Sequence, residues 1–303
     1  MPGLVALTGA TGFIGREILR NLVSNGYHVR ALTRKPREDT TFIHWIPGDL
    51  NNKTALHQLV EGVDAVIHCA GSVRGSSLEA FVRTNVDGTS NLVQAAEQQV
   101  VKPRFLLISS LAAREPELSW YAKSKQMAEQ YVIDYSAKDQ WIILRPTAVY
   151  GQGDKELKPV FNATRHGILP LVGEVTNKIS LLHVDDFVAA IQCWLSMSVP
   201  ASGVYELGDG TAGGYSYESI AAITQEVWGR SVRCIKVPIS LVRVVAQTNL
   251  FLAKLFRYSP MLTPKKVKEL EHSNWLCDNS PLLKEMPGWK PKISLREALP
   301  QLF

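Results

Sequence analysis

A chain of 303 residues with 46% hydrophobic and 20% charged residues has the composition of a folded globular protein, with enough length for one large core or a large and a small one. Its 33 basic and 28 acidic residues leave a formal net charge of +5, and the cations form no concentrated stripe, which argues against a nucleic-acid partner. Cys69, Cys193, Cys234 and Cys277 are scattered, without Cys-x-x-Cys or His/Cys clustering, so reduced thiols, a cytoplasmic setting and no metal site are expected.

The chain opens with a short apolar run at 4–7, expected as a buried strand so close to Met1 that no signal peptide is predicted. Thr8-Gly9-Ala10-Thr11-Gly12-Phe13-Ile14-Gly15 follows at once, and Ile14, Ile18, Leu19 and Leu22 then repeat at helical spacing. Strand, glycine turn and helix is the setting in which backbone can approach a pyrophosphate and a helix N-terminus can receive it. Apolar runs at 29–32, 42–46, 65–69, 105–108 and 141–144 read as strands, and 14–25, 78–97 and 121–135 as helices. That alternation predicts an α/β fold with a doubly wound parallel sheet.

Residues 152–180 carry scattered Gly, Pro and Lys and are expected to be irregular. A helix over 184–195, capped by Asp185, a strand at 204–207, a helix over 217–228 and a strand at 232–237 complete the pattern. No run of about eighteen uncharged apolar residues exists, so no membrane span is predicted. Residues 239–257 read as a helix with Arg243, Gln247, Lys254 and Arg257 on one stripe and a very wide apolar face. That face suits docking on the protein's own core or a subunit partner, and a membrane surface or a greasy substrate are the alternatives.

Tyr121 and Lys125 stand four residues apart, on one face of the 121–135 helix. An ammonium beside a phenol favours the phenolate, which predicts a lowered Tyr121 pKa and proton exchange near neutrality. Ser109-Ser110 directly follows the 105–108 strand, at the carboxyl edge where open sheets bind ligands.

Gly9-x-x-Gly12-x-x-Gly15, Gly48-Asp49-Leu50, Ile67-His68-Cys69-Ala70-Gly71, Thr84-Asn85-Val86-Asp87-Gly88-Thr89, Ile108-Ser109-Ser110, the Tyr121/Lys125 pair, Arg145-Pro146-Thr147-Ala148-Val149-Tyr150-Gly151 and Leu182-His183-Val184-Asp185-Asp186 occur in an order that resembles the extended short-chain dehydrogenase/reductase superfamily, the NAD-dependent epimerase/dehydratase family. The resemblance covers about the first two-thirds of the chain. It implies a Rossmann domain over 1–151 and 181–206, with a smaller, discontinuous substrate region over 152–180 and 207–303. It also implies that Gly9, Thr11, Gly12, Phe13, Ile14, Gly15, Arg34, Asp49, Leu50, Ala70, Gly71, Pro146 and Val149, with Tyr121 and Lys125, line the dinucleotide.

By the same resemblance Tyr121 is the acid/base, Lys125 lowers its pKa and holds the nicotinamide ribose, and Ser110, in preference to Ser109, polarises the substrate oxygen. Asn85 is expected to be structural or water-relaying, and His68 and His183 to be packing residues. No acid closes the second strand, where Arg34, Lys35 and Arg37 stand instead. Cations there suit a 2′-phosphate, so NADP is expected over NAD.

The stretch Leu111-Ala112-Ala113-Arg114-Glu115-Pro116-Glu117 lacks the Thr-Asp-Glu of sugar-nucleotide dehydratases, which argues against dehydration. Lys178-Ile179-Ser180-Leu181-Leu182-His183 is closer to dihydroflavonol-reductase and 3β-hydroxysteroid-dehydrogenase relatives than to nucleotide-sugar enzymes. Three functions remain open: a carbonyl reductase or alcohol dehydrogenase on a hydrophobic or bulky small molecule, a nucleotide-sugar 4-epimerase, and a non-catalytic dinucleotide sensor. A homodimer through the helices around 85–96 and 122–135 is expected, with Met127, Tyr131 and Tyr135 as its apolar strip.

Overall fold

The computed structural model describes residues 3–303. Strands β1 (Leu4–Thr8), β2 (His28–Thr33), β3 (Ile43–Pro47), β4 (Ala65–His68), β5 (Arg104–Ile108) and β6 (Trp141–Pro146) join the strand Gly203–Leu207 in one seven-stranded sheet. Every pair is parallel, and from the edge strand β3 inward the order is β3-β2-β1-β4-β5-β6 and then Gly203–Leu207. The direction of winding reverses between β1 and β4, so the crevice where such sheets take ligands lies at their carboxyl ends.

Helices cover both faces, as the near-continuous apolar strands require. On one face α1 (Phe13–Ser24) packs Ile18 and Leu22 beside Phe187, Ile191 and Trp194. On the other, α2 (Lys53–Val60), then α3 (Leu78–Phe81), a π-helical turn Val82–Asp87, α4 (Gly88–Glu97) and α5 (Trp120–Tyr135) follow in order. Leu56, Leu59, Leu92, Val93 and Val132 bury that second face. The π-turn interrupts the single helix expected over 78–97, and it carries Asn85. The sequence reading missed α2, whose one-sided run Ala55, Leu56, Leu59 and Val60 is brief and whose Asn52 cap accepts from Ala55 N–H at 3.0 Å.

The stretch 152–180 is more ordered than expected. Asp154 accepts from the N–H groups of Glu156, Leu157 and Lys158 at 2.8, 2.9 and 3.2 Å and so starts α6 (Lys158–Arg165). The strand Ile168–Leu171 then pairs with Arg233–Lys236. Next come α7 (Val184–Ser196), α8 (Tyr217–Trp228), α9 (Ile239–Phe256) and α10 (Pro264–Glu271). The helix α7 starts at Val184 as expected, but His183, not Asp185, caps it: Asp185 already lies inside the first turn, and its N–H donates to His183 Nδ1 at 3.3 Å.

Three smaller sheets lie between Ala148 and Trp275, over a separate apolar cluster that includes Phe161, Leu169, Ile220 and Leu299. Leu282, Met286 and Trp289 return to the core of the large sheet. Among the described residues α9 is the one helix long and apolar enough, by length and composition, to cross a membrane.

Candidate active site

The glycine turn between β1 and α1 is held shut by contacts that no side chain could share. Gly9 has φ +73°, and a Cβ there would stand 2.7 Å from Ala70 N. A Cβ on Gly15 would stand 2.0 Å from Gly9 O, so α1 can approach β1 only through glycine. Gly12 begins α1 with no side-chain cap and no acid in the first turn. Thr11 and Gly12 are exposed, and Phe13 and Ile14 are half-buried beside them. Uncapped N–H groups at the sheet's switch point are what a pyrophosphate needs, so this turn fits a dinucleotide.

At the next two strand ends Arg34 is exposed while Thr33 Oγ1 donates to Lys35 O at 2.7 Å, which turns the backbone outward. Asp39 is drawn away to β3, where it accepts from Trp45 N–H at 2.8 Å and pairs with His44. Arg37 lies over the Trp45 ring at 5.0 Å. Asp49 is exposed and accepts from Asn51 N–H at 2.8 Å. Leu50 is buried against α4, and a Cβ on Gly88 would come within 2.6 Å of its Cδ1.

A buried relay fixes the end of β4. Ala70 N–H donates to Thr8 Oγ1 (3.1 Å), whose hydroxyl donates to His68 Nδ1 (2.7 Å). His68 Nε2 then donates to Thr89 Oγ1 (2.9 Å), and that hydroxyl donates to Asn85 O (2.6 Å). Burial first, and the Lys125 charge second, push the His68 pKa down to about 3, so the ring is neutral and structural. Asn85 accepts from Ser72 N–H at 2.7 Å and donates to Ser72 O at 3.0 Å and to Ser124 Oγ at 2.9 Å. It therefore ties the loop after β4, with Gly71 exposed beside it, to the helix bearing Tyr121.

Ser119 starts α5 by accepting from Ala122 N–H at 2.9 Å, and the helix then presents Tyr121 and Lys125 on one face. Lys125 Nζ is buried and donates to Ile108 O at 2.7 Å, at the end of β5. Burial pushes its pKa down to about 8, against the Glu129 carboxylate, which raises it. Ser110 begins a 3-10 turn by accepting from Ala112 N–H at 3.2 Å, and its hydroxyl lies beside the Tyr121 phenol. Ser109 is turned the other way, toward Glu129, which also holds Arg145 Nε at 2.9 Å and Nη2 at 2.5 Å. Pro146 is buried at the end of β6 and Val149 half-buried beyond it.

The Tyr121 pKa is not lowered, as the Lys125 neighbour led us to expect. Burial pushes it up to about 12; the Ser110 hydroxyl opposes that, and the carboxylates of Glu269 and Glu129 add to it. The phenol is therefore the protonated form at neutral pH, with the Lys125 ammonium anchored on a backbone carbonyl.

Several residues that the sequence reading did not single out complete the site. Glu269 of α10 is buried, accepts from Ser119 Oγ and pairs with Lys266, whose ammonium lies 5.3 Å above the Tyr121 ring. Arg114 donates to Leu276 O (2.9 Å) and Asn274 O (3.2 Å) and pairs with Glu206, so the Ser110 turn is fastened to the C-terminal segment. Asp186 Oδ2 accepts from Lys292 and Ile293 N–H at 3.0 and 2.8 Å and anchors the tail. Apart from the Lys266–Glu269 pair, these contacts join residues 92 to 162 positions apart, beyond the reach of any local motif.

The glycine turn, Ser110 and the Tyr121/Lys125 pair all fall inside residues 5–208, which match the model of the NAD dependent epimerase/dehydratase family. The chain belongs to this family. It is accordingly an NAD(P)-dependent enzyme of the oxidoreductase/epimerase type, with a nicotinamide cofactor and a small-molecule substrate. Ceramide reductase of Caulobacter vibrioides is 34% identical over 294 residues, spanning 94% of this chain and 90% of that relative. UDP-glucuronic acid 4-epimerase from Bacillus cereus, solved with UDP-glucuronic acid and NAD, shares the family fold at a TM-score of 0.75 and 20% identity, covering 99% of this chain and 97% of that one. A human epimerase family protein solved with NADPH gives a TM-score of 0.75 at 16% identity, covering 99% and 98%.

Proposed function

We propose that this enzyme is an NADP-dependent reductase of a carbonyl on a bulky, apolar small molecule, with Ser110, Tyr121 and Lys125 as its catalytic residues. The observation that carries the reading is the meeting of the Ser110 hydroxyl and the Tyr121 phenol at the carboxyl edge of β5, with Lys125 on the same helix face. The cofactor supplies the hydride when bound. Reduction leaves negative charge on the former carbonyl oxygen, which needs a proton and a hydroxyl donor. Tyr121 donates that proton, and the raised pKa keeps it protonated at neutral pH. Ser110 Oγ donates a hydrogen bond to the same oxygen, and Lys125 holds the nicotinamide ribose and supplies positive charge beside the phenol.

Arg34, exposed at the end of β2 with Asp39 diverted to β3, favours a 2′-phosphate and hence NADP. The apolar substrate class is supported by the ceramide reductase relative, and the absence of the dehydratase Thr-Asp-Glu at 111–117 argues against dehydration. We assign cofactor binding to 1–151 and 181–206, and substrate binding to 152–180 and 207–303. We also assign a homodimer through α4 and α5, and a cytoplasmic setting compatible with four free thiols. The test is oxidation of NADPH against a panel of long-chain ketones and UDP-sugars. Reductase activity on the ketones supports the reading. Copurified, non-exchanging dinucleotide with UDP-sugar interconversion overturns it in favour of an epimerase.

A further inference from the structure

The helix α9 carries its apolar face away from the protein. Val242, Ala246 and Ala253 are its buried residues, and the first two meet Val267 of α10 and the small cluster around it. Val244, Phe251 and Leu255, at seven- and four-residue spacings, fall on the opposite side, where they are 58%, 67% and 63% exposed. Leu241, Val245, Leu252 and Phe256 extend the same exposed sector. A contiguous apolar face of this size on a helix marks a docking surface.

Two features say what covers it. First, α9 contains no acidic residue, while Arg243, Gln247 and Lys254 form its polar stripe and Arg257 closes its end. Arg243 is paired with Glu271, but Lys254 and Arg257 are exposed along the flank with no ion-pair partner among the described residues. A second copy packed on the same face across a two-fold axis would bring cations toward cations with no acid on either helix to meet them. An anionic lipid surface supplies the complementary charge. Second, both ends of α9 are fastened to one folded body. Val237 N–H donates to Leu171 O at 2.8 Å just before the helix, and Pro260 O, just after it, accepts from Gly75 N–H at 3.2 Å. A spanning helix would leave its ends on opposite sides of the bilayer, so α9 lies along the surface rather than across it.

We propose that α9 is a peripheral docking face for an anionic lipid bilayer, with Val244, Phe251 and Leu255 entering the acyl boundary and Lys254 and Arg257 meeting the headgroups. Pro260, just beyond the helix, is hydrogen-bonded to Gly75 in the loop after β4, the loop that Asn85 holds at Ser72. The proposal stands on α9 alone and does not depend on which carbonyl the enzyme reduces.

Flotation of the full chain with vesicles of phosphatidylcholine, with and without phosphatidylglycerol, tests it. Wild-type protein should float with the anionic vesicles, and V244E/F251E/L255E should stay behind, with its thermal melt and NADPH binding unchanged. K254E/R257E should lose binding by at least about fivefold for each cation, the scale of one basic group at an anionic surface. Should the triple variant not fold, Phe251→Trp reports directly: its indole emission should shift to the blue on adding anionic vesicles. No flotation of the wild type, flotation untouched by the triple variant, or no Phe251→Trp shift each overturns the proposal. So does a sedimenting dimer that the triple variant dissociates, which would put a second copy on this face.

Discussion

Ser109 and Ser110 are consecutive residues whose hydroxyls serve different partners: Ser109 bonds the buried Glu129 carboxylate, and Ser110 stands beside the Tyr121 phenol. The two single variants should therefore fail in different ways. Ser110→Ala should lower kcat by about 10²–10³, the scale of one lost oxyanion donor, with little change in melting temperature. Ser109→Ala removes a hydrogen bond to the carboxylate that clamps Arg145, so it should reduce stability by about 1–3 kcal/mol and leave turnover nearly intact. Steady-state kinetics and denaturant unfolding of both variants check this. Matching profiles for the two would contradict it.

Lys125 has an ordinary pKa of 10.5 that burial pushes down to about 8. Its folded-state value lies below its unfolded one, so the unfolded chain binds more protons between those two values and stability rises with pH across that window. Below pH 8 the ammonium is charged in both states and the whole penalty is present, on the order of 3 kcal/mol. Lys125→Met should thus be at least as stable as the wild type near pH 7 while losing dinucleotide affinity and turnover together. Urea unfolding with a dinucleotide titration decides it, and a variant that is clearly less stable at neutral pH would count against the assignment.

Arg34 is exposed where no carboxylate competes for a ribose phosphate. Arg34→Ala should weaken NADPH binding by about 1–3 kcal/mol, the scale of a charge-assisted contact, and hardly change NADH binding. Calorimetric titration of both dinucleotides measures it; equal losses would remove Arg34 from cofactor choice.

Met127 and Tyr135 are exposed on α5, Tyr131 and Tyr135 stack at 4.4 Å, and Gln94 of α4 donates to the Tyr131 hydroxyl at 2.8 Å. Met127 and Tyr135 therefore face outward on α5, while Tyr131 between them is half-buried against the core of that face. Sedimentation at micromolar concentration should give a dimer, and Tyr135→Glu should give a monomer. A wild-type monomer, or a dimer indifferent to the substitution, would place no interface here.

The parts of this enzyme legible in its sequence are those made by neighbours in the chain. The glycine turn, the apolar strands and the Tyr121/Lys125 face follow from local sterics and periodicity, and the sheet and its helices follow from them. The Asp154 loop hid α6, because a side chain capping three successive N–H groups looks in sequence like one more polar residue. The chain could not reveal that Glu269 would reach Ser119, 150 positions away. Burial reversed the expected direction of the Tyr121 pKa, and the Glu269 carboxylate from α10 adds to it against a phenolate that Lys125 alone would favour.

The central claim is that Tyr121 gives its proton to the reduced substrate, and Tyr121→Phe tests it most directly. On whichever carbonyl drives NADPH oxidation by the wild type, the variant should bind NADPH normally, keep its melting temperature and lose about 10²–10⁴ in kcat. Wild-type turnover by a folded, NADPH-binding Tyr121→Phe enzyme would contradict the claim.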